Sequence, residues 1–190
     1  WVSVVPFAMA EVAPRGLPTV PWLSNFLELN LRTYVTIGGK PGVWFFSLDA
    51  ANPVAVEIGR RVFHLPYVRA RMTLRREDDW FVYESRRTDR RLPPGDFQGR
   101  YRATGPVFRA EPGSLDAWLT ERYAFYSTDR RGRLLRCDIH HQPWPLQPGE
   151  VEISRNTLAD GHGFALDGPP PRVQVVQRLD VHAWGVVPAH

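Results

Sequence analysis

A chain of 190 residues, 43% hydrophobic and 23% charged, is sized and composed for one globular domain. No run approaches the ~20 apolar residues of a membrane-spanning helix, and no basic-then-apolar leader is visible. The net charge is +4, Lys40 is the one lysine among 24 basic residues, and a single cysteine, Cys137, excludes an internal disulfide or a multi-cysteine metal site.

Trp1 opens onto Val-Ser-Val-Val-Pro-Phe, which reads as a strand already under way, so the expectation is a chain that lacks its natural start. Residues 13–22 hold Pro14, Pro18 and Pro21 and predict an irregular loop. From Phe26 to Ile37 the pattern then alternates. Leu27, Leu29, Leu31 and Thr33 share one face; Glu28, Asn30, Arg32 and Tyr34 share the other. A Gly-Gly-Lys-Pro-Gly turn leads into the apolar run Val43–Asp49, a second strand beside the first. The polar row of acid, amide, guanidinium and phenol reads either as a solvated surface or as the lining of a pocket.

Asn52-Pro53 is a helix start, and Ala51, Val54, Ala55, Ile58 and Val62 form an apolar stripe at helical spacing, with Glu57 and Arg61 on the outer face. Strands are expected over 67–76, 79–87 and 97–105. Ser114 caps a second helix whose stripe runs through Leu115, Trp118, Leu119, Arg122, Tyr123 and Tyr126. A strand over 134–141, a turn-rich stretch over 147–172 and a last strand over 173–187 complete the chain. Strands without regular β-α alternation give an α+β class with a mainly antiparallel, strongly curved sheet and a few peripheral helices.

Little of this spells out chemistry. Lys40 lies in a turn and has no sequence neighbour that would depress its pKa for Schiff-base formation. His140 and His141 are adjacent on a strand, so they point to opposite faces and cannot share a metal. Cys137 reads as a buried packing thiol, and His140 beside Asp138 as either a surface pair or a proton-transfer pair. No nucleotide-binding, nucleophile-elbow or metal-ligand spacing appears, so neither metal nor cofactor is expected and catalytic residues stay unassigned. Arginines are scattered among acids, as in Arg69, Arg71 and Arg75 beside Glu77, Asp78 and Glu84, which argues against a nucleic-acid face.

Several segments in order carry a resemblance: Trp1-Val-Ser-Val-Val-Pro-Phe, Phe26-x-Glu-x-Asn-x-Arg-x-Tyr34-Val, Gly39-Lys-Pro-Gly-Val-Trp-Phe-Phe-Ser-Leu-Asp49, Leu65-Pro-Tyr67, Leu119-Thr-Glu-Arg-Tyr123 and Ile139-His-His-x-Pro-Trp-Pro-Leu146. Together they resemble the YqjF-like family of bacterial proteins of unknown function, over essentially the whole chain. The resemblance implies that about 40–50 residues precede Trp1. It also implies remote kinship with the acetoacetate decarboxylase-like fold, whose curved sheet closes into a cone-shaped barrel around a cavity. Glu28 would then match a carboxylate strand. No lysine follows Lys40, so the Schiff-base lysine of that fold has no counterpart.

The resulting expectation is a single domain over 1–190, cytoplasmic, without nucleic-acid or membrane partners. It would bind a small, partly apolar organic molecule in a central cavity. Arg32 would hold a carboxylate or carbonyl oxygen and pair with Glu28; Asn30 and Tyr34 would orient the ligand, and Trp44, Phe46 and Tyr67 would form the apolar wall. Two alternatives stand beside it: a lyase or isomerase with Glu28 as general acid/base beside a carbonyl, and a structural or partner-binding protein with a filled barrel.

Overall fold

The computed structural model describes residues 1–12 and 24–189, so the loop expected over 13–22 lies outside the described residues. The alternating segment is strand β2 (Phe26–Ile37), flanked by β1 (Val2–Met9) and β3 (Lys40–Ala50) in antiparallel register. Gly38 and Gly39 both take positive φ in the two-residue turn between β2 and β3, the left-handed geometry that a tight hairpin needs.

Strand β3 then divides the molecule. Its free edge pairs in parallel with β4 (Tyr67–Glu77) at Leu48–Ala50 and with β7 (Ala124–Thr128) at Val43–Trp44. Between the two contacts the β2–β3 register slips, so that Leu31 faces Ser47 and Arg32 faces Phe45, with Phe46 bulged out. One branch continues through β4, β5 (Trp80–Arg87), β6 (Asp96–Ala103), β9 (Gln147–Asn156) and β10 (Gln174–Val175). The other runs through β7 and β8 (Leu134–His141) to β11 (Val181–Ala183) and β12 (Val187–Pro188). Two helices, α1 (Pro53–Val62) and α2 (Leu115–Thr120), lie outside the sheet.

The two branches cover opposite faces of β2 and β3. Leu29 and Leu31 pack with Tyr83, Phe97 and Leu158 on one side; Val43 and Leu48 pack with Leu65, Phe125 and Cys137 on the other. The first side holds a buried ion pair. Arg87 donates to both Asp49 oxygens at 2.8 and 3.0 Å, to Ser47 Oγ at 3.0 Å and to the Pro93 carbonyl at 2.6 Å, with both charged side chains almost fully enclosed.

Several expectations need correction. The paired strands run from β10 to β11 without joining their ends, so the sheet is open among the described residues and not a closed cone, and it is mixed where β3 meets β4 and β7. Helix α2 stops at Thr120, leaving Tyr126 as a buried residue of β7 whose hydroxyl donates to the Lys40 carbonyl at 2.8 Å. The stretch called turn-rich contains the ten-residue β9, which β6 recruits despite its polar composition, and the last strand is broken into three short pieces.

Helix α1 starts as expected, with Asn52 Oδ1 accepting from the Val54 and Ala55 amides. Its orientation is inverted: Val56 and Gly59 are buried while Val54, Ile58 and Val62 face outward. No helix among the described residues is long and apolar enough to cross a membrane.

The Asp49–Arg87 pair generates a test. Asp49→Asn leaves the enclosed guanidinium without a counter-charge and is expected to cost about 3–5 kcal/mol in urea unfolding. Arg75→Ala, at an exposed site, is expected to leave the midpoint unchanged.

Candidate functional site

The regular alternation of β2 keeps Glu28, Asn30, Arg32 and Tyr34 on one face. That face looks toward α1, α2 and the segment after β8. Glu28 is 2% exposed. Tyr67 donates to its two carboxyl oxygens at 3.1 and 3.3 Å, and Asn30 also reaches the carboxyl group. Burial outweighs these hydrogen bonds and pushes the Glu28 carboxyl up to about 8, so the group is protonated at neutral pH. The expected Glu28–Arg32 pair does not form. The two are four residues apart on an extended strand, ~13 Å between α-carbons, and Tyr67 and Asn30 fill the nearer positions.

Tyr67 reaches Glu28 because Gly59 lets it. A Cβ on Gly59 would overlap the Tyr67 ring, and Arg60 of the same helix donates to the Tyr67 carbonyl at 2.9 Å. The sequence signal for this is a lone glycine in the helix, which intrinsic propensity disfavours.

Arg32 sits in a different setting. Its guanidinium carbon lies 5.8 Å from the ring centroids of both Tyr34 and Trp144. Arg122, 6% exposed, lies 5.6 Å from the Tyr34 ring and 4.3 Å from that of Trp118, which itself packs 4.8 Å from Tyr34. Arg122 Nε donates to the Trp118 carbonyl, and buried His141 takes the Arg122 carbonyl at 3.2 Å while stacking on Tyr123. Burial pulls the Arg122 guanidinium below its ordinary value, and no carboxylate opposes that pull.

Four buried polar atoms here have no hydrogen-bond partner among the described residues: Asn30 Oδ1, Arg32 Nε, Arg122 Nη2 and Trp144 Nε1. They comprise three donors and one acceptor. Each such group costs about 1–3 kcal/mol when left unsatisfied.

The structure therefore brings Glu28, Asn30 and Tyr67 together at one end of the row and Arg32 and Tyr34 at the other. Trp44 and Phe46 are not brought to this face. The bulge at Phe46 reverses the parity of β3, so Phe45 lies opposite Arg32, while Phe46 packs against the Leu29–Leu31 core beside His162 and Phe164. Trp44 lies opposite Thr33, on that same far side.

Arg122, Trp118 and Trp144 join Arg32 and Tyr34 on this face, and the sequence pattern does not single them out. The helical pattern sets Arg122 and Trp118 in a packing stripe, and Trp144 lies just past the end of the strand over 134–141. Lys40 gives its amine to Asp138 at 2.7 Å, in a surface depression of about 490 Å³ lined also by His140 and Trp184. Cys137 is enclosed, its thiol pushed up to about 11 by burial.

A family model of uncharacterized conserved proteins, DUF2071, matches residues 1–180. The chain belongs to this family. The uncharacterized protein YqjF of Bacillus subtilis strain 168 is 45% identical over 184 residues, covering 97% of this chain and 75% of that protein. Among solved structures, the acetoacetate decarboxylase of Legionella pneumophila superposes with a TM-score of 0.50 at 11% identity, over 99% of this chain and 82% of its own. The enduracididine biosynthesis enzyme MppR, complexed with pyruvate, gives 0.51 at 12% identity, over 86% and 62%. The DUF2071 chain thus has an acetoacetate decarboxylase-like fold.

Glu28 couples stability to pH. Its carboxyl titrates near 4.5 when unfolded and about 8 when folded. The folded state therefore holds the extra proton between these values, and stability falls as pH rises through that window. The full difference is ~5 kcal/mol. Denaturant unfolding from pH 5 to 8 should show this decline in the wild type, and Glu28→Gln should flatten it. Gly59→Ala, which displaces Tyr67, should weaken the protein at every pH.

Proposed function

We propose that the polar face of β2 binds a small, partly apolar organic acid. The observation that carries this reading is the pair of guanidiniums, Arg32 and Arg122, gathered around Tyr34 with unpaired N–H groups and no acidic partner. An enclosed arginine without a counter-charge is costly, and cation–π contacts of about 0.5–2 kcal/mol offset only part of that cost. A ligand carboxylate supplies the missing charge. It would take Arg32 Nε, Arg122 Nη2 and the Trp144 indole N–H as donors, in charge-assisted hydrogen bonds.

Tyr34, Phe45 and Trp118 offer apolar surface beside the charged end. Asn30 Oδ1, unpartnered midway along the row, accepts a donor from the ligand body. Pyruvate, held by MppR in the same fold, is a small carboxylate of this class.

A second reading rests on Glu28. A protonated carboxyl fixed by Tyr67 at the far end of the row is suited to giving a proton to a carbonyl oxygen or enolate and recovering it afterwards. This is lyase or isomerase chemistry beside a carbonyl. Decarboxylation through a Schiff base is not part of the proposal, since the amine of Lys40 is engaged by Asp138 away from this face.

Thermal unfolding with a panel of small carboxylates and their amides tests the binding. Carboxylates should stabilise the protein, by ~2.7 kcal/mol at one hundred times the dissociation constant, and amides should not. Arg122→Leu should abolish the effect while leaving the ligand-free protein as stable or more so, because the substitution removes an uncompensated charge. Exchange of carbon-bound hydrogen in D2O, lost in Glu28→Gln with binding intact, would establish the second reading.

A further inference from the structure

Helix α1 carries its apolar stripe on the wrong side for an isolated chain. Val54, Ile58 and Val62 are 41%, 44% and 50% exposed, while the side turned inward offers only Val56 and a glycine. We propose that this face joins two copies of the chain, α1 packing antiparallel against α1 about a twofold axis through Ile58.

The stripe is self-complementary. At 3.6 residues per turn Val54 and Val62 lie about 40° to either side of Ile58 and one turn before and after it. A twofold axis at Ile58 therefore sets Ile58 against Ile58 and brings Val54 of each copy level with Val62 of the other, as an isologous contact requires.

The charges agree with the same axis. Glu57 and Arg61 lie on one flank of the stripe, ~1.5 Å before and ~4.5 Å after Ile58 along the helix. The twofold operation keeps that flank together and reverses direction, leaving Arg61 of each copy ~3 Å along the axis from Glu57 of the other. Arg61 is exposed, and the Glu57 side chain is 44% exposed beside its bond to Arg91.

One helix face falls short of the ~800 Å² per partner of a standard interface. Next to Val54 lies a depression of about 470 Å³ lined by Phe26, Leu27, Pro53 and Met72, which the end of the opposing helix would meet. The contact is accordingly a weak dimer that forms with rising concentration.

Sedimentation equilibrium over a concentration series is the test. The wild type should show a monomer–dimer equilibrium, and Ile58→Glu should be monomeric with an unchanged circular-dichroism spectrum. Arg61→Glu alone and Glu57→Arg alone should each weaken self-association by at least ~10-fold, because each sets like charges opposite one another twice. Mixed together, these two variants should associate with each other, since both cross-pairs are then restored. A wild type that stays monomeric, a dimer indifferent to Ile58→Glu, or variants that fail to complement one another overturns the proposal, including the case where a different protein binds α1.

Discussion

The edge of β3 has to serve two partners, and this constraint organises the molecule. A strand has two rows of backbone donors and acceptors. Strand β2 takes one row of β3 along nearly its whole length, leaving the other to be shared by β4 at one end and β7 at the other. The bulge at Phe46 falls between the two shared segments, where added local twist lets the branches part. As a result β2 and β3 form a middle layer with a core on each side. The middle of β2, Glu28 to Leu31, is buried and Arg32 and Tyr34 are half-buried, so its charged and polar residues had to find partners or remain uncompensated.

The two sides meet that requirement differently. On the Leu29–Leu31 side, Asp49 and Arg87 share two hydrogen bonds, and Ser47 and the Pro93 carbonyl take further guanidinium donors. Such a site is electrically closed and has little left to offer a ligand. On the other side Glu28 keeps its proton, and Arg32 and Arg122 rest on aromatic rings with donors to spare. Net positive charge and unsatisfied N–H groups in a half-buried place suit an anion, and it is this contrast within one protein that singles out the second face.

Likeness to the acetoacetate decarboxylase-like fold does not supply the chemistry. At 11–12% identity the superpositions speak to backbone path alone. What this chain offers in its place is a row of four side chains set by a strand, closed at its ends by Tyr67 and by Arg122 with Trp144. A loop and a helix terminus deliver the latter pair, which places the charged end of the site on short, irregular elements and the acid end on regular ones.

The alternation of residues 26–37 determined on its own that Glu28, Asn30, Arg32 and Tyr34 share a face, and the Asn52-Pro53 signal determined where α1 begins. Both depend on contacts within a few residues. Only the tertiary structure decided which way those faces look. A period of two or of 3.6 states which side chains point together, while the layer that meets them is chosen by segments far away in the chain. For this reason the stripe of α1 turned outward once Gly59 was needed beneath Tyr67. Trp44 and Phe46 fell on the far side because a single bulged residue reversed the parity of β3, and Arg122 left its expected packing stripe when the helix ended at Thr120. Among the described residues the sheet stayed open for the same kind of reason: closing it would need pairing between its outer strands, a long-range match on which local sequence is silent.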